Sequence, residues 1–144
     1  MQTNLAIAVL AAAIVAAGCT TTQETSQPSS TATAPATLTG EEIKALVAGN
    51  TVEGMNSDGY YFKGYNSPDG KISASSEKGG KVYTSGGTWE IQGNTTCAKW
   101  TNPDWRSVCA TYAKNGEGYY IKTTSRSIPS IPSAKVVPGN PHNL

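Results

Sequence analysis

The stretch that decides the fold is GTWEIQGNTTCAKWTNPDWRSVCATY, residues 87–112. Apolar and polar side chains alternate along its first part, where Trp89 and Ile91 point one way and Thr88 and Glu90 the other. This alternation with a period of two is typical of antiparallel strands that bury one face. The stretch therefore predicts a sheet with one apolar side.

A hairpin within the same stretch relates two of the three cysteines. If the NPD segment, residues 102–104, is the loop, then Thr101 opposes Trp105, and counting back two by two brings Cys97 opposite Cys109. We therefore expect a cross-strand disulfide. The alternative is a metal site, but two thiols twelve positions apart without histidine partners make a poor zinc site.

Further turn signals divide the rest of the domain into short strands. Gly93-Asn94 is a two-residue hairpin signal. NSPDG at residues 66–70 and NGEG at residues 115–118 lie between runs rich in Tyr, Ile and Thr, as expected for tight connections. The spacing of eight to twelve residues between turns favours an antiparallel meander.

The segment TLTGEEIKALVAGN, residues 37–50, predicts a helix before these strands. Thr39 is a favourable N-cap, and Glu42 three residues later completes a capping box. We expect a helix over residues 40–48 with an apolar stripe formed by Ile43, Leu46 and Val47. The predicted fold class is mainly β: one N-terminal helix packed on an antiparallel β-meander or small barrel, spanning residues 38–123.

Residues 124–144 contain four prolines. Because proline removes a backbone donor, this composition argues against a regular helix or a central strand. We expect a loose Pro-rich tail, although Ile128 and Ile131 could pack an extended segment along the domain.

The beginning of the chain indicates export. Residues 5–17 are all Leu, Ala, Ile or Val, too few to span a bilayer but enough for a signal peptide. The sequence AAGC, ending at Cys19, resembles the lipobox of bacterial lipoproteins. The resemblance implies a signal peptide over residues 1–18 and a lipid attached to Cys19. The alternative is an ordinary cleaved signal with a chance cysteine.

The next segment, residues 19–37, is rich in Thr, Ser, Ala and Pro and predicts a disordered tether. We expect a lipid-anchored outer-membrane protein whose domain faces the periplasm. A secreted or soluble periplasmic protein is the alternative. Lipidation of Cys19 would leave an even pair of cysteines for the disulfide, and the periplasm is oxidising enough to maintain it.

Four motifs together resemble a family of small, uncharacterised bacterial exported domains. They are LTGEEIKALVAGNTVEG, YNSPDGKIS, GTWEI and CAKW followed by a second cysteine, and they cover about residues 38–122. The resemblance implies a helix plus an antiparallel sheet that could close into a small barrel. It supplies no activity.

Residue types give little support to catalysis, and we expect neither an enzyme nor a bound cofactor or metal. The only histidine, His142, lies in the C-terminal segment, and Asp58, Asp69 and Asp104 each lie in a predicted turn. The chain has 11 Lys and Arg against 10 Asp and Glu, and this balance gives no reason to expect nucleic acid.

Aromatic residues are the candidates for binding, namely Trp100, Trp105 and Tyr60. The hairpin register places Trp100 on the sheet side opposite Cys97, and Trp105 adjoins the NPD loop. Such residues can be binding anchors or cross-strand pairs. The first hypothesis is a domain that binds an envelope protein or a glycan.

Two other hypotheses remain open. One is a small barrel that binds an apolar ligand or inhibits a protease, and the other is a hydrolase with an unrecognised carboxylate site. A cavity lined by Tyr and Trp would favour the ligand. A packed barrel with a conspicuous exposed loop or N-terminal segment would favour the inhibitor or the binding of a partner, and two carboxylates facing each other across a cleft would favour the hydrolase.

Overall fold

The computed structural model describes residues 35–144, which form one short helix and eight antiparallel strands. Each strand pairs with the next, and β1 also pairs with β8, so the sheet closes into a barrel. This confirms the predicted fold class. The elements are α1 Gly40–Val47, β1 Asn50–Met55, β2 Tyr61–Asn66, β3 Lys71–Lys78, β4 Lys81–Gln92, β5 Thr95–Trp100, β6 Val108–Asn115, β7 Gly118–Thr123 and β8 Ile131–Pro138.

The predicted signal peptide, Cys19 and the predicted tether as far as residue 34 lie outside the described residues. Thr37 and Leu38 already contact the sheet before the helix begins, because Thr37 bridges to Ala113 and the Leu38 N–H donates to the Tyr112 carbonyl. In residues 35–144 no helix combines the length and apolar character that crossing a bilayer requires.

Helix α1 forms as its capping box predicts. The Thr39 hydroxyl accepts the Glu42 N–H, while the Glu42 carboxylate accepts the Thr39 N–H at 2.8 Å. Hydrogen bonds from Thr39 hold the pKa of the Glu42 carboxyl below its usual range. The apolar stripe faces the barrel, and the side chains of Ile43 and Val47 are fully buried.

The start of α1 is fixed against the β4–β5 turn. The Gly40 N–H donates to the Asn94 side chain at 3.0 Å. A Cβ at Gly40 would lie 2.1 Å from the Gly93 carbonyl oxygen, so only glycine permits this approach. Gly93 itself has a φ of +56°, as a primed two-residue turn requires.

The meander gives the barrel two different ends. The end that carries α1 and the β2–β3, β4–β5 and β6–β7 turns is called the helix end. The opposite end carries the four other connections between consecutive strands and is called the loop end. The side chains of α1 join the core cluster at the helix end together with Val52 and Trp89, so the helix covers that end.

Cys97 lies opposite Cys109 across β5 and β6, and the two are disulfide-bonded. The predicted register is therefore confirmed at the cysteines. The prediction of a three-residue loop is wrong, however. The last residue pair between the two strands is Ala98 with Val108, and β5 ends at Trp100 while β6 begins only at Val108.

The chain leaves the β5–β6 ladder because other partners compete for it. The Thr101 N–H donates to the Gly86 carbonyl on β4 at 2.9 Å, so this residue follows β4 rather than facing Trp105. The Asn102 side chain accepts the Asp104 N–H at 3.0 Å, and its carbonyl accepts the Trp105 N–H. These bonds curl residues 101–107 into a longer connection.

The prediction of a loose tail over residues 124–144 is also wrong, because this segment supplies β8 and closes the barrel. The strand tolerates its prolines for local reasons. Pro132 lies where the β7–β8 ladder is irregular, and Pro138 is the last residue of β8, positions where a missing donor costs little. Beyond the strand, the His142 ring nitrogen lies 2.8 Å from the Glu53 carboxylate on β1.

Candidate functional site: a cavity inside the barrel

The barrel encloses a cavity of about 630 Å³. Inward side chains of all eight strands line it. Asp104 and Arg106 in the β5–β6 connection also line it and are exposed to solvent, so the cavity opens at the loop end. The opposite end is covered by α1.

Small inward residues leave this space unfilled. Ser76, Ala98 and Ala110 each contribute to the wall from a different strand. An eight-stranded barrel is just wide enough for its side chains to fill the interior or for one small ligand to occupy it. Here short side chains at several wall positions leave the interior partly empty.

Trp89 forms part of the deep wall. It is 7% exposed, and its indole N–H donates to the Ser67 carbonyl at 2.8 Å. This bond satisfies the one polar group of the indole, so the part of Trp89 that faces the cavity is apolar.

The three binding candidates all line the cavity at its loop end. Trp100 and Trp105 form an edge-to-face pair with ring centroids 4.8 Å apart, and Tyr60 lies 6.5 Å from Tyr83. All four rings line the cavity. Trp100 points inward from β5, on the opposite side from Cys97, in accordance with the predicted register. A binding role for these residues stays a prediction.

The disulfide lies at the base of the hairpin that presents the tryptophan pair. It joins β5 to β6 just before the two strands separate. Trp100 is the last residue of β5, and Trp105 lies in the connection that follows. The cross-link therefore restrains both rings from one side of the entrance.

Charge is confined to the entrance of the cavity. Among the described residues that line it, only Asp104 and Arg106 are ionisable at neutral pH, and both lie in the β5–β6 connection. Deeper lining side chains are apolar or carry neutral hydroxyl and amide groups. A ligand that enters the barrel therefore meets no charged partner along the wall.

Two deep polar residues were not identified as site residues from the sequence. Tyr112 on β6 and Asn66 on β2 both line the cavity and are 5% and 6% exposed. Burial raises the pKa of the Tyr112 hydroxyl above its ordinary value of 10, so this group stays protonated. Alternation from Ala110 assigns Tyr112 to the inner face, but nothing local shows that the interior is hollow.

The residues considered for catalysis lie apart from one another. Asp69 is part of the β2–β3 turn, where hydrogen bonds from Ser67 and Lys71 lower its pKa to about 2. Asp58 lies in the β1–β2 connection, where its N–H donates to the Asn56 side chain. Within residues 35–144 no cluster of three or more His, Cys, Asp or Glu side chains could hold a metal ion.

Comparisons of this chain with protein-family models, with curated proteins and with solved structures find no match.

Proposed function

We propose that this protein is a lipid-anchored envelope protein whose barrel binds a small, mainly apolar ligand. The observation that carries the proposal is the cavity of about 630 Å³, which is lined chiefly by apolar and aromatic side chains and opens at one end. Small-molecule sites in proteins are usually concave, mostly apolar and about 300–1,000 Å³ in volume. This cavity meets all three criteria.

The unfilled interior supports ligand binding over the other hypotheses. A barrel that acts through its outer surface, as an inhibitor or a docking module does, gains stability by packing its interior with side chains. Exposing apolar walls to water forfeits part of the hydrophobic stabilisation. A bound apolar ligand would recover it.

The anchor rests on the sequence of the leader and on Cys19. The Cys97–Cys109 disulfide gives independent support for export, because disulfides persist mainly outside the cytosol. Metabolic labelling with a fatty acid should mark the wild-type protein, and Cys19→Ser should abolish the label. An unlabelled wild type would contradict the lipid anchor but would not bear on the proposed ligand site.

Dye binding tests the cavity. The full chain carrying Cys19→Ser is titrated with N-phenyl-1-naphthylamine, a neutral dye that fluoresces in apolar surroundings. Ala98→Phe fills part of the cavity and should weaken binding by about tenfold, since the ring occupies space that the dye requires.

Lys99→Phe is the matched control. It introduces the same side chain at the neighbouring position of β5, where the Lys99 side chain is 68% exposed on the outer face. This variant should bind the dye like the parent. Equal binding by both phenylalanine variants would place the dye outside the barrel and refute the proposed site.

A further inference from the structure

We infer that the ligand is an uncharged apolar molecule whose buried end carries a carbonyl-type oxygen, which accepts a hydrogen bond from the Tyr112 hydroxyl. This inference rests on the proposed function and specifies the chemistry of the ligand.

The Tyr112 hydroxyl is positioned for a partner that the described chain does not supply. Burial is the one influence on the pKa of this hydroxyl, and no hydrogen bond from residues 35–144 contributes to it. No described side-chain oxygen or nitrogen is both sealed from solvent and unpaired. The hydroxyl must therefore be accessible from the cavity that Tyr112 lines, although the residue as a whole is only 5% exposed.

The opposite wall offers a second incompletely paired group. Asn66 lies on β2, four strands away from β6 around the closed barrel. Its amide N–H donates to the Gly64 carbonyl at 3.4 Å, a long bond, and no described donor reaches its side-chain oxygen. The deep cavity thus presents polar groups from opposite walls, which can hold a ligand in one orientation.

Charge and protonation decide which ligand group these residues accept. Asp104 and Arg106, the charged groups of the lining, stay at the entrance, and an unpaired charge buried beyond them is strongly disfavoured. Because the Tyr112 hydroxyl stays protonated, it can donate, and the natural partner is a neutral acceptor. The rings of Trp89 and Trp100 provide apolar surface for the rest of the molecule.

The probe for the test is 6-propionyl-2-(dimethylamino)naphthalene, a neutral dye with one ketone. Hydrogen bonding to the ketone moves its emission to longer wavelengths. Tyr112→Phe removes only the hydroxyl and should weaken binding of this dye about fivefold and shift the bound emission to shorter wavelengths. N-phenyl-1-naphthylamine, which has no oxygen, should bind the variant and the parent equally.

Tyr120→Phe is the control for loss of a hydroxyl, since Tyr120 is 37% exposed on β7 and does not line the cavity. It should change neither dye. The carboxylate analogue 6-(dimethylamino)-2-naphthoic acid should bind the parent about tenfold more weakly than the ketone because its charge must be buried. Equal binding of ketone and carboxylate would overturn the inference that the buried end is neutral.

The outcomes distinguish failure of the ligand site from failure of the Tyr112 contact. If neither neutral dye binds the parent, the proposed function fails together with this inference. Suppose that N-phenyl-1-naphthylamine binds the parent and that Ala98→Phe weakens this binding, but that Tyr112→Phe changes neither the affinity nor the emission of the ketone dye. The ligand site then stands, and the role of Tyr112 is refuted. Retained binding of N-phenyl-1-naphthylamine by Tyr112→Phe shows that its cavity is intact.

Discussion

Removal of the Cys97–Cys109 disulfide should lower the free energy of unfolding by about 3 kcal/mol, because the cross-link closes a loop over 12 positions and restricts the unfolded chain. The native hairpin also depends on it. Strands β5 and β6 share only three residue pairs, against six between β4 and β5. The cross-link therefore holds a part of the barrel in which the hydrogen-bond ladder is short.

The variant for this test is Cys97→Ala with Cys109→Ala, because Cys97 is 4% exposed and alanine adds no polar group at this buried position. Urea unfolding followed by tryptophan fluorescence measures the change. For a domain of this size the loss corresponds to a fall in Tm of about 10–15 °C. The entrance should also loosen, since Trp100 and Trp105 lie beyond the cross-link.

Reduction of the parent protein provides the internal control. Dithiothreitol should destabilise the parent by a similar amount and leave the double variant unchanged. A loss below about 1 kcal/mol would refute the estimate from chain entropy. An equal effect of dithiothreitol on the double variant would show that the reagent acts elsewhere.

Three further predictions follow from the fold. Ile43→Ala should lower the free energy of unfolding by about 3 kcal/mol in urea titrations, because Ile43 is fully buried at the helix end, while Leu46→Ala, at a half-buried position, should cost less. Deleting residues 124–144 removes β8 and leaves β1 and β7 unpaired along one edge, so the cooperative unfolding transition should disappear; a truncated chain that melts like the parent would show that β8 is dispensable. The Asp69 carboxyl should titrate near pH 2 by NMR. Because its pKa is lowered in the folded state, the stability it contributes is fully present above pH 3.8 and is lost as the pH falls through about 2, and Ser67→Ala should move the titration upward.

Local chemistry made several elements predictable from the sequence. The capping box of Thr39 and Glu42 fixes the start of the helix through bonds between residues three apart. Gly93 supplies the positive φ of the β4–β5 turn. The pairing of Cys97 with Cys109 was also predictable, because residues at equal distances from Pro103 face each other at the cysteines, although the two strands separate before the loop that was predicted.

Prediction failed where partners distant in sequence compete. Thr101 was assigned to the β5–β6 hairpin, but its N–H donates to Gly86 on β4, and no pattern near residue 101 indicates this. The four prolines after residue 123 favoured a tail because the sequence does not reveal which positions require a backbone donor. That depends on the β7–β8 register, which is irregular beside Pro132.

The sequence by itself determined the helix, the three turns of the helix end, the inward direction of Trp100 and the cysteine pairing, because these depend on backbone geometry and on contacts between near neighbours. Only the tertiary structure decided that the sheet closes and that its interior stays hollow. Closure joins Val52 on β1 to Val136 on β8. The volume left inside depends on the summed volume of the inward side chains of all eight strands.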